Sequence, residues 1–157
     1  MQKKITTEVF IAYSLCPRKA FLLLCSNGDG AVPKYSQILQ LKKEASQQSY
    51  IKSLEQQVPN VRPYSVNNLK DGWAYLTGAT ISVENLETSC GVLAKTKVSS
   101  SLGRFSYEPM IFTGTQSVEK EDKLALMFVG YLLEQIQEKM PGKGAIATID
   151  NKAHTIK

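Results

Sequence analysis

Histidine is almost missing from this 157-residue chain, with His154 the single example. A Ser-His-Asp arrangement needs a base held beside its nucleophile. With one late histidine and no Gly-x-Ser-x-Gly elbow, no convincing triad can be assembled. Cysteine is scarce too. Cys16, Cys25 and Cys90 form no Cys-x-x-Cys pair, which argues against a self-contained zinc site. An odd cysteine count without a signal peptide points to reduced thiols. Lys3 and Lys4 open the chain, but Glu8, Arg18 and Lys19 break any signal core. Long apolar runs are also lacking: the segment from Leu124 to Leu133 is far too short to cross a bilayer. The expectation is a cytoplasmic protein without a membrane partner. Glycine-rich phosphate loops are absent as well, because "SNGDGAVP" (26–33) is not followed by Gly-Lys-Ser/Thr.

What is present fits one globular domain over residues 1–157, long enough to bury a core. Net charge is +5 and the pI is near 9.1, which favours an anionic partner such as nucleic acid. A basic domain that binds nothing charged is the other reading of the same numbers.

Thr6 or Thr7 can cap a first helix, with Glu8 in its first turn and Val9, Phe10, Tyr13 and Leu15 on its apolar side. Pro17 must kink this helix or begin a second one, which is strongly apolar after Arg18 and Lys19. Residues 26–33 read as a loop. A helix from Lys34 to about Gln57 follows, with Ile38, Leu41, Ala45, Ile51 and Leu54 at helical spacing. Its Lys42, Lys43, Gln47, Gln48 and Lys52 form the solvated face. Residues 58–68 are irregular. Strands are expected over 73–84, 89–98 and 105–114, the last two joined by the loop "SSSLGR". A long helix is opened by Ser117, with Glu119, Glu121 and Asp122 in its first turns, and ends before Pro141-Gly142. "GAIATIDNKAHTIK" reads as a hairpin turning at Asp150 and Asn151. The order implies an α/β or α+β domain. A hairpin ending at the terminus without a tail is how an excised domain looks, and a natural terminus can look the same.

The stretch "ITTEVFIAYSLCPRKAFL" resembles the opening of RecB-like nucleases of the PD-(D/E)XK superfamily, a group that includes CRISPR-associated exonucleases with a four-cysteine iron–sulfur cluster. "YEPMIFTGT…EDKLALMFVGYLLEQIQ" resembles a later segment of that family, and the two regions cover about half the chain. The resemblance implies a restriction-endonuclease-like α/β fold, a mixed sheet flanked by helices. It implies a role in DNA processing or repair, or on mobile-element or CRISPR DNA. Cys16 matches the first cluster cysteine, but the other three ligands of such families lie near the C-terminus, where this chain has none. Either the chain is a piece of a longer protein or this branch lacks the cluster. A capping or packing role is the alternative for "CPRK".

In the family, two carboxylates on adjacent strands hold magnesium or manganese, which polarises the phosphate and activates water. A lysine two residues after the second carboxylate stabilises the developing charge. Glu108 matches the second carboxylate. Gly91 stands at the first, Met110 where the lysine belongs, and Met127 where a glutamine precedes Tyr131. Lys95 or Lys97, expected on the same strand face as Gly91, are substitutes for the lysine; Glu84 or Glu87 are candidates for the second carboxylate. The candidate site is therefore Glu108 as metal ligand, Lys95 as electrostatic stabiliser and Tyr131 as positioning group. Arg18, Lys19, Lys42 and Lys52 are the candidate DNA contacts. A catalytically inactive DNA-binding or protein-interaction module on the same fold, or a domain docked to a subunit of a longer assembly, is the alternative.

Overall fold

The computed structural model describes residues 4–25, 34–150 and 152–156. The expected loop at 26–33 and Asn151 of the expected terminal turn lie outside the described residues. The chain begins with a short strand, β1 (Ile5–Thr6), and runs directly into α1 (Thr7–Leu15). Thr6 is the cap: its hydroxyl accepts from the Val9 amide. Cys16 then turns extended, at φ −159° and ψ 106°, as a residue before proline is pushed to do. Pro17 opens α2 (Pro17–Cys25), where a missing N–H costs nothing. The Cys16 carbonyl accepts from the Lys19 and Ala20 amides. "CPRK" is thus a break between two helices, and Ala12 and Ala20 are buried on either side of it. Tyr13 and Leu15, expected on the apolar side of α1, are exposed instead.

After α3 (Lys34–Gln57) come β2 (Val61–Pro63) and α4 (Val66–Asp71), two short elements in a region expected to be irregular. Ser65 caps α4 and Gly72 ends it in the left-handed conformation, φ 75°. The strands β3 (Tyr75–Val83), β4 (Leu86–Thr96) and β5 (Ser106–Phe112) form an antiparallel meander. Then α5 (Lys120–Gln137) crosses over to β6 (Gly144–Ala147), which lies parallel to β5, and β7 (Ala153–Ile156) closes a hairpin. The cap of α5 is Glu119 rather than Ser117. Glu119 and Asp122 close a reciprocal capping box, while Ser117 hydrogen-bonds the Glu119 carboxylate.

Among the described residues the sheet has seven strands in the order β2-β3-β4-β5-β6-β7, with β1 added parallel to the start of β4. This is the α/β fold with a mixed sheet flanked by helices that the sequence led us to expect. One sheet face packs on α5: Leu76, Ile81, Leu93, Tyr107 and Ile111 meet Leu126, Val129, Leu132 and Leu133, and Phe10 of α1 stacks on Phe128 at 5.0 Å. Each fully buried leucine there contributes roughly 1.5–3 kcal/mol. The opposite face packs on α3, where Leu54, Tyr50 and Ile51 cover Val92, Met110 and Phe112. Ile38, Leu41 and Ala45, expected in that core, are exposed. Lys43 and Gln47, expected in solvent, are half-buried instead.

Candidate functional site: a break in the sheet near Glu108

Two glycines disturb the middle of the β3–β4 ladder. Pairing runs Tyr75↔Ala94, Leu76↔Leu93 and Thr77↔Val92, and resumes at Ala79↔Cys90. Between them Gly78 adopts φ 61°, a conformation that a residue with a Cβ seldom takes. The consequence is a shift of face. Leu76 and Leu93 belong to the α5-side core, and so do Ala79, Ile81 and Cys90. Strict alternation would carry that core from Leu76 to Gly78 and Thr80. On β4, a Cβ on Gly91 would lie 2.5 Å from the Phe112 ring and 2.9 Å from Gln47 Oε1, so this position looks toward α3.

The same stretch is a gap in the sheet. β1 pairs with Leu86 and Glu87, and β5 begins to pair at Val92. Residues 88–91 have β3 on one side and, among the described residues, no strand on the other. Short side-chain bonds close part of the gap: Thr7 and Thr88 share a hydroxyl hydrogen bond, and the Cys90 thiol donates to the carbonyls of Val92 (3.2 Å) and Met110 (3.3 Å). Burial pushes the Cys90 thiol up to about 12, and the nearby Lys43 ammonium opposes this only weakly. It stays a neutral thiol. A cavity of about 180 Å³ remains, reached by Lys43, Gln47, Thr80 and Ser89.

Glu108 sits on β5, half-buried, directly opposite Ala94. It makes no hydrogen bond or ion pair among the described residues. The first carboxylate was expected at Gly91, yet the residue facing Glu108 is three positions further along β4 and carries only a methyl group. Lys95 pairs with Tyr107, whose side chain is in the α5-side core, so Lys95 and Glu108 project from opposite faces. The expectation that Lys95 shares the face of Gly91 fails because the alternation slips at the glycines. Lys95 instead lies over the Phe105 ring at 5.1 Å. Lys97 is exposed beyond the end of β4. Glu84, at φ 54°, forms the β3–β4 turn, and Glu87 pairs with Lys4 at 2.8 Å. From Glu87 to Ala94 the strand extends roughly 20 Å, so neither glutamate shares a metal with Glu108. Among the described residues no group of three or more His, Cys, Asp or Glu side chains is placed to hold a metal ion. The donors around Glu108 do not fit magnesium or manganese, which need several oxygen ligands.

Tyr131 is on α5, on the other side of the sheet from Glu108. With Met127, Phe10 and Tyr13 it lines an apolar groove of about 620 Å³ between α1, α2 and α5. Arg18 and Lys19 are exposed at the start of α2, and Lys42 and Lys52 on α3, about 15 Å apart along the helix. Cys16 is exposed at the helix break and Cys90 is buried, so these two do not begin a shared cluster. No helix among the described residues is long and apolar enough to cross a membrane.

Sequence reading missed Lys43, Gln47, Thr80 and Ser89. A usable signal existed: a glycine interrupts each of two successive strand patterns, at Gly78 and Gly91, and Lys43, Gln47, Tyr50 and Leu54 recur at one-turn spacing on α3. No protein-family model matches this chain, and no curated protein matches it.

Proposed function

We propose that this chain is a RecB-like, nuclease-type domain that binds DNA without cutting it. The observation that carries this reading is the pairing of Glu108 with Ala94 across β4 and β5: the position that would complete a two-carboxylate metal site has no ligand. The α/β fold with its α5 crossover, the net charge of +5 and the exposed Arg18, Lys19, Lys42 and Lys52 support the DNA part. Binding of this kind is sequence-independent and weakens steeply with salt as counterions are released. The test incubates labelled single- and double-stranded DNA with the protein and magnesium or manganese, beside a Glu108→Ala variant. We expect no cleavage by either, and binding that is strong at about 50 mM salt and much weaker at about 200 mM. Metal-dependent cutting that Glu108→Ala loses would overturn the reading in favour of a working, rearranged nuclease.

A protein-interaction role on the same fold is the second reading, favoured by the apolar groove at Phe10, Met127 and Tyr131. No DNA binding at low salt, together with stable self-association, selects it.

A further inference from the structure

We propose that Lys43, Gln47, Thr80 and Ser89 form a binding site for a small tetrahedral oxyanion, phosphate or a phosphodiester group, at the break in the sheet. Thr80 and Ser89 are directly opposite each other on β3 and β4. Both are exposed, on the face turned away from Ala79 and Cys90, and Lys43 and Gln47 come from α3 above the same face. Among the described residues none of these four side chains has a hydrogen-bond or ion-pair partner. All four can donate: an ammonium, an amide and two hydroxyls.

Among the described residues no carboxylate lines the cavity. Lys43 is half-buried at the cavity, and an anion drawn in from solution would gain charge-assisted hydrogen bonds from its ammonium. The Cys90 thiol beside Lys43 supplies no negative charge, because burial keeps it neutral. Space is sufficient. A water's share of liquid volume is about 30 Å³, so a cavity of about 180 Å³ holds an oxyanion with room for solvent. Glycine at 91 is part of the device, because a side chain there would strike Gln47 and Phe112. The inference stands whether or not the chain binds DNA.

The test titrates the whole protein with inorganic phosphate by calorimetry and follows the amide resonances of Ser89 and Gly91. Saturable binding that shifts those amides is expected. Lys43→Met should weaken it by about tenfold or more, as loss of a charge-assisted contact does. Ser89→Ala, an exposed change that leaves the fold intact, should weaken it several-fold. Lys70→Met, an exposed lysine on α4 away from the cavity, should bind like the parent. Absence of phosphate binding, or undiminished binding by both Lys43→Met and Ser89→Ala, overturns the proposal. A short oligothymidylate added to the phosphate complex identifies the source. Displacement of phosphate assigns the site to a nucleic-acid backbone, and retention assigns it to a free anion while DNA binding elsewhere is judged by its own assay.

Discussion

Glu108 and Ala94 face each other across the β4–β5 pair, and between them they hold one carboxylate where two would chelate. Directly opposed residues place their Cβ atoms about 4.5–5.5 Å apart. Ala94→Asp should therefore complete a two-carboxylate site. We expect the variant to bind manganese measurably by calorimetry or paramagnetic resonance, while the parent and the Ala94→Asp/Glu108→Ala double variant do not. Equal manganese binding by the parent would mean that its metal ligands lie elsewhere.

Gly114 lies against the backbone of α3. A Cβ there would meet the Leu39 carbonyl oxygen at 2.3 Å, and a helix backbone cannot swing aside as a side chain can. Gly114→Ala should cost about 1–3 kcal/mol by overpacking. Gly142 has open space around it, so Gly142→Ala should be neutral or stabilising by about 0.4–1 kcal/mol. Chemical denaturation of both variants separates the two sites. If Gly114→Ala matched the parent, α3 would not be seated where its Leu39 carbonyl indicates.

Gln137 is fully buried at the end of α5 and ties that helix to β5. Its Oε1 accepts from the Tyr107 amide at 2.9 Å, and its Nε2 donates to the carbonyls of Tyr107 (3.2 Å) and Lys139 (2.8 Å). Gln137→Leu fills a similar volume but leaves those buried backbone groups without a partner. The expected loss is about 2–4 kcal/mol, read as a fall in Tm of roughly 5–15 °C for a domain of this size. An unchanged Tm would show that the backbone groups find other partners.

Much of the fold is legible in local pattern. The span of α3, the helix break at Pro17 and the presence of β3 follow from periodicity, proline geometry and strand-forming composition. Two features are not. β1 has only two residues and exists because Ile5 and Thr6 dock on Leu86 and Glu87, a long-range pairing with no local signature. Which face of α3 is buried is settled by the sheet beneath it. Leu54 and Tyr50 outcompete Ile38 and Leu41, and Lys43 and Gln47 are carried inward with them. The site suffered most from one assumption, period-two alternation through Gly91. A left-handed glycine across the ladder broke it and sent Lys95 to the face opposite Glu108. Glu108 itself is on a strand beside β4, as its spacing suggested, but its facing residue depends on register, which a single strand does not encode.

Alkaline pH should reveal the core more sharply than acid. Burial raises the Cys90 thiol from its ordinary 9.0 to about 12, and burial with the nearby Asp71 carboxylate raises the Tyr107 phenol from 10.0 to about 12. Tyr50 and Tyr64 shift the same way. Each group keeps its proton longer in the folded chain than in the unfolded one, so the unfolded state binds fewer protons once pH passes the ordinary value. Stability then falls as pH rises. The contribution is complete below about 9 and is lost progressively between about 9 and 12. Denaturation series across this range should show a plateau near neutrality and a decline from about pH 9, led by Cys90 and reinforced above pH 10 by the tyrosines. In Cys90→Ala the onset should move up to the tyrosine range. Native protein treated with iodoacetamide at pH 8 should be modified at the exposed Cys16 and Cys25 and spared at Cys90. Rapid native-state alkylation of Cys90, or a parent and Cys90→Ala that lose stability in parallel from pH 9, would place the thiol outside the closed core.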